Sequence, residues 1–107
     1  MPQARSPASI DDLARYLPDF CHRNGISRVE VFGSVARGEA SPDSDLDLMI
    51  TFLPGVEPGL DFFGMQDELK RMAGRRVDLF TRRSVERSEN WIRRRSILES
   101  AREIYAA

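Results

Sequence analysis

The chain has 107 residues, 41% hydrophobic and 31% charged, with a formal net charge of −1. That length suits one domain of the usual ~100–150 residues and excludes a second of useful size, while the apolar content suffices for a core and excludes wholesale disorder. No apolar run approaches the ~20 residues of a membrane span, no secretory apolar region follows Met1-Pro2-Gln3-Ala4-Arg5, and the single cysteine, Cys21, cannot form an internal disulfide, so a reducing cytoplasm is the expected setting.

In chain order, residues 1–8 read as a flexible arm ahead of one domain over 9–107. Ser9 is placed to cap a helix, with Asp12 reaching back from its first turn. Ile10, Leu13, Ala14, Leu17, Phe20 and Cys21 recur at helical spacing, Pro18 threatens a kink or an early end, and Asn24-Gly25 supplies a C-cap. Ser27 to Phe32 alternates as a strand. Gly33-Ser34-Val35-Ala36-Arg37-Gly38 follows as a glycine turn with room for one helical turn, and residues 39–44 form a polar loop. Asp45 to Phe52 is a second strand. After the breakers Pro54, Gly55, Pro58 and Gly59, helical spacing resumes from Leu60 to Met72 and stops at Gly74. Arg76 to Thr81 is a third strand, and a last helix from about Asn90 carries Ile97, Leu98, Ala101, Ile104 and Tyr105 on one side. The sum is an α+β fold: a small mixed sheet with helices packed on one face, the other face being left open to solvent or substrate.

Charge is unevenly distributed: residues 1–69 carry a balance of −7 and residues 70–107 a balance of +6. The basic last third is either a face that meets a charged partner or a solvated arginine-rich helix. His22 reads as a capping or surface histidine and Cys21 as a core residue. Trp91 is either an interface anchor or a cap on the core, and Tyr105 is packing.

The chemistry-bearing residues lie in the strands. Aspartate is a poor strand former, yet Asp45 and Asp47 punctuate an apolar run. Residues two apart share a face, so Leu46, Leu48 and Ile50 point to the core and the two aspartates point together to the other side, ~6–7 Å apart along the backbone. Like charges so close repel, and a hard divalent cation such as Mg²⁺, which takes carboxylate and phosphate oxygens, is the natural compensation. Asp78, between Val77 and Leu79, repeats the pattern, and on a strand adjacent to the second it joins the same face. Three acids around metal support in-line phosphoryl or nucleotidyl transfer, with one of them able to act as base. Gly33 lets backbone N–H groups approach a phosphate, the Ser34 hydroxyl can donate to one, and Arg37 either adds a charge-assisted bond or pairs with Asp43 or Glu39. Asp43 and Ser44 shape the loop, Ser44 with the further option of a hydrogen bond to an aspartate.

Gly33-Ser34, ten residues, Asp45-Leu46-Asp47-Leu48 and then Val77-Asp78-Leu79 together resemble the nucleotidyltransferase signature of the DNA polymerase β superfamily. The longer string from Phe32 to Gly38 and from Ser44 to Leu48 is similar to its minimal nucleotidyltransferase (MNT) branch, and the resemblance runs over roughly residues 10–106. It implies a polymerase β-like fold that lacks the helical second domain of kanamycin nucleotidyltransferase. It also implies an antitoxin that moves AMP from ATP, with Mg²⁺, onto a tyrosine of a HEPN ribonuclease toxin with which it forms a hetero-oligomer. On that analogy Gly33 and Ser34 bind the triphosphate, Asp45 and Asp47 hold metal, and Asp78 completes the metal site and serves as base; Arg37 is the further nucleotide-binding candidate, read from its charge. The alternatives are an antitoxin that neutralises its toxin by binding alone, and a transferase acting on a small molecule or an RNA end. Nucleic-acid contact is not favoured by a net charge of −1 without interleaved aromatics.

Overall fold

The computed structural model describes residues 13–39, 44–57, 59 and 61–107. The expected arm, the helix start at Ser9, Ile10 and Asp12, and Asp43 lie outside them. Leu13 and Ala14 are helical, a turn intervenes at Arg15-Tyr16, and helix α1 runs Leu17–Asn24. Pro18 therefore neither kinks nor ends this helix. It occupies the first turn, where its missing N–H costs no hydrogen bond. The C-cap forms as expected: Gly25 sits in the left-handed region at φ 67° and donates to the Cys21 carbonyl, while the Asn24 amide donates to Phe20 O at 2.8 Å.

The strands are β1 (Ile26–Phe32), β2 (Leu46–Phe52), β3 (Val77–Thr81) and β4 (Arg102–Ala106), in the spatial order β3-β2-β1-β4. Strand β1 is antiparallel to both β2 and β4, and β2 is parallel to β3. The parallel pair is joined by helix α2 (Asp61–Ala73), the crossover that a parallel connection requires. Short helix α3 (Arg82–Glu86) and helix α4 (Trp91–Ser100) separate β3 from β4.

One face of the sheet holds the main core. Val29, Val31, Leu46, Leu48, Ile50, Val77 and Leu79 pack against Leu17, Phe20 and Cys21 of α1 and Met65, Leu69 and Ala73 of α2. Each fully buried Leu, Ile, Val or Met contributes ~1.5–3 kcal/mol. Burial pushes the Cys21 thiol up to about 12, which makes it an inert core group. The opposite face, expected to be open, carries a second, smaller cluster of Phe32, Met49, Val85 and Ile97, with α3 and α4 lying over part of it. The result is an α+β sandwich whose second face is covered at one side only. Among the described residues, no helix is long and apolar enough to cross a membrane.

The last segment departs from expectation. Helix α4 stops at Ser100, Ala101 turns extended at ψ 133°, and residues 102–106 form a fourth strand. Ile104 and Tyr105 pack against the core from that strand and not from a helix. Both residues fit either reading, and the open edge of β1 decides it by offering unpaired backbone groups to the next extended segment. Helix α3 was not expected either. Its cap is Thr81, whose Oγ1 accepts from Ser84 N at 3.1 Å.

Glu30, inside β1, is buried on the second face, and its carboxylate accepts from Arg82 Nη1 at 2.8 and 3.1 Å. Removing the cation strands a buried charge. Arg82→Met is expected to lower stability by about 2–3 kcal/mol in urea unfolding, short of a fully buried pair because Arg82 is 29% exposed. Adding Glu30→Leu to that variant recovers most of the loss.

Candidate active site

The parallel register of β2 on β3 sets Leu46 opposite Val77, Asp47 opposite Asp78, and Leu48 opposite Leu79. Paired residues share a face, so the flanking apolar residues go to the main core and both aspartates go to the second face, on strands ~4.8 Å apart. Asp45 stands one residue before β2, half-buried, with Arg76 Nη1 at 3.6 Å from its Oδ2. The Arg75 guanidinium donates to the Ser44 carbonyl and Arg76 O accepts from Leu46 N at 2.9 Å, so the approach to β3 ties down the approach to β2.

The glycine turn abuts these acids because Phe32, the last residue of β1, pairs with Asp47. Gly33 has φ 75°, and a Cβ built there stands 2.6 Å from Asp47 Oδ2. No L side chain fits, first for backbone reasons and second because the carboxylate occupies the space. Backbone bonds Arg37 N to Gly33 O (3.1 Å), Gly38 N to Val35 O (3.1 Å) and Glu39 N to Ser34 O (2.9 Å) wind residues 33–39 into a tight turn. Ser34 lies in this turn, one residue beyond Gly33, and its carbonyl accepts from Glu39. Arg37 is exposed and paired with Glu39, Nε to Oε1 at 3.0 Å.

Asp47 is pushed above the ordinary carboxylate value of 3.8, first by burial, then by the negative charges of Asp78 and Asp45, with Arg93 opposing. Both Asp78 and Asp45 thus act electrostatically on Asp47. Among the described residues, however, no group of three His, Cys, Asp or Glu side chains is arranged to hold a metal ion. The donor set is nonetheless of the hard oxygen type, and a magnesium site commonly uses one or two carboxylates completed by substrate phosphates and water. A half-buried carboxylate with two like charges as neighbours lacks positive charge, and a cation fits that deficit.

Two residues that the sequence reading passed over reach this site from α4. Ser100 Oγ accepts from Gly33 N at 3.3 Å and donates to Ile97 O at 3.1 Å. Arg93 is the basic group whose charge acts on Asp47. Only the crossing of α4 over the sheet brings them there, and no local pattern marks either one.

A turn that offers backbone donors beside acids on adjacent strands is equipped to hold a polyphosphate and move part of it, which is the chemistry of phosphoryl- and nucleotidyl-transferring enzymes. The chain belongs to the nucleotidyltransferase domain family, whose model matches residues 13–104. Protein adenylyltransferase MntA of Thermococcus cleftensis is 35% identical over 75 residues, which are 68% of this chain and 73% of that one. A solved chain assigned as a minimal nucleotidyltransferase is 34% identical with a TM-score of 0.70, over 94% of this chain and 98% of that one. The fold is also that of one chain in a complex of tri-AMPylated Shewanella oneidensis HEPN toxin with MNT antitoxin, at 12% identity and a TM-score of 0.61, over 92% of this chain and 74% of that one.

Two outcomes are expected. In metal-free buffer with chelator, Asp47→Asn raises the melting temperature by a few degrees at neutral pH. The sign follows from the raised value. Ionised Asp47 costs folding free energy above its folded-state pKa, that cost fades as pH falls through the pKa, and it is gone below 3.8. The gain over wild type therefore shrinks toward pH 4. Gly33→Ala is expected to do the reverse, lowering stability by about 1–3 kcal/mol through strain and displacing the Asp47 carboxylate.

Proposed function

We propose that this chain transfers AMP from ATP to a hydroxyl, a tyrosine in the first instance, of a partner HEPN-type toxin, and that it acts thereby as the antitoxin of the pair. The observation that carries the reading is the register of Asp47 opposite Asp78 beside the Gly33 turn. Asp45 and Asp47, with Asp78, are the residues that would hold magnesium. Bound there, the ion would neutralise phosphate charge and polarise the phosphorus under attack. The Ser34 N–H and hydroxyl hold phosphate oxygens, and Gly33 N joins them once it releases Ser100 Oγ. Arg37 joins them once it releases Glu39. Asp78 takes the proton of the acceptor hydroxyl as its oxygen bonds the α-phosphorus, the bond from that phosphorus to the bridging oxygen breaks, and pyrophosphate leaves.

A macromolecular acceptor is supported by the open form of the surface. Beside the turn lies a shallow groove of about 430 Å³ lined by Arg37, Ile92, Arg95, Ser96, Glu99 and Ser100, with Trp91 and Ile92 exposed next to it. A small acceptor would call for a more enclosed pocket. The relative named as a protein adenylyltransferase supports the same class of acceptor.

Incubation with labelled ATP, Mg²⁺ and the partner toxin is expected to label the toxin, and Asp45→Asn or Asp47→Asn is expected to reduce labelling at least ~100-fold while the protein stays folded. Labelling at the wild-type rate by Asp45→Asn would show the site assignment to be wrong. An Asp47→Asn protein that still protects cells would move neutralisation to binding alone, and transfer to an aminoglycoside or an RNA 3′ end in place of the toxin would replace the acceptor.

A further inference from the structure

We infer that Arg93 is a ligand for the phosphates of the bound nucleotide, a binding residue delivered from α4 to the acidic face of the sheet. The inference rests on the nucleotidyl-transfer reading above. The Arg93 guanidinium lies over the Phe80 ring, 5.9 Å from its centroid. Phe80 is two residues beyond Asp78 on β3 and therefore on the same face. It pairs with Met49, itself two residues beyond Asp47, and its ring meets that of Phe32 at 5.4 Å. The contact with Phe80 anchors the side chain on this face, and among the described residues no hydrogen bond engages its guanidinium, whose planar fork suits a bidentate contact with phosphate.

The rest of α4 supports this placement. Ser100, seven residues on, shares the helix face of Arg93 and touches Gly33 N, so one face of α4 spans ~10 Å from the acids to the phosphate-binding turn. The neighbouring arginines are engaged otherwise: Arg95 pairs with Glu99 at 2.8 Å, and Arg94 Nη1 donates to Ser88 O at 2.6 Å. Arg93 makes no ion pair among the described residues, although its charge reaches Asp47. A cation held by an aromatic ring and not by an acid, beside a cluster of carboxylates, is placed for an anion that arrives with its metal.

The test is nucleotide binding by calorimetry with Mg²⁺, comparing α,β-methylene-ATP with AMP. Arg93→Gln keeps much of the stem over Phe80 and removes the charge. It is expected to weaken the triphosphate analogue ~10–100-fold, the loss of one charge-assisted contact, and AMP by much less. Arg93→Lys, which keeps the charge without the planar fork, should fall between wild type and Arg93→Gln, and Arg71→Ala, an exposed residue of α2 over the main core, should match wild type. Unchanged affinity for the analogue in Arg93→Gln overturns the inference, and so does equal weakening of both ligands, which is the mark of a purely structural role. Should Arg93→Gln fail to fold by circular dichroism, Arg93→Lys decides by the same comparison. A wild-type protein that binds neither nucleotide overturns the proposed function together with this inference, whereas binding by wild type with no effect of Arg93 overturns this inference alone.

Discussion

The structure depends on one constraint, the in-register parallel pairing of β2 with β3. Nothing about two aspartates favours placing them side by side on adjacent strands. They are brought there by their apolar neighbours: Leu46, Leu48 and Ile50 on one strand and Val77 and Leu79 on the other must all reach the same core. A slip of one residue would send that whole set to the wrong face, a loss far larger than the repulsion between two partly solvated carboxylates. The core therefore fixes the acids against their own electrostatic preference, and helix α2 enforces the pairing by completing the crossover. Its Gln66 also accepts from Leu79 N at 3.2 Å, occupying a donor on the outer edge of β3.

The strain gathers at Asp47. Burial and two like charges disfavour its ionised form, and the same crowding sets the Gly33 turn against it. Across the second face the protein handles charge in two ways. Glu30 is neutralised within the fold by Arg82, which makes it a structural element. Among the described residues the three aspartates have only the loose approach of Arg76 to Asp45 and the charge of Arg93 acting on Asp47. Acids on one face thus differ in whether the fold itself neutralises them.

How legible this was in the sequence depends on range. The Asn24-Gly25 cap, the alternation through β1 and β2, and Asp78 between Val77 and Leu79 are local signals, and each survives in the fold because burial agrees with them. The join of Asp47 to Asp78 was conditional on the third strand lying next to the second, a condition that the parallel register meets. What escaped was non-local. Ile104 and Tyr105 satisfy a helical stripe as well as an edge strand, and only the vacant side of β1 selects the strand. Pro18 looked like an interruption because its place in a helix depends on where that helix begins. Ser100 and Arg93 carry no pattern at all, since their relevance arises from the angle at which α4 crosses the sheet.

The 2.6 Å between a notional Cβ at position 33 and Asp47 Oδ2 reaches into the history of such chains. Turn and acid share one volume, so the two positions are coupled. Only glycine meets both demands at 33, the left-handed backbone and the room for the carboxylate. A lineage that replaces this glycine bears the backbone strain and also turns the carboxylate at 47 aside, so one substitution at the bend is felt at two positions.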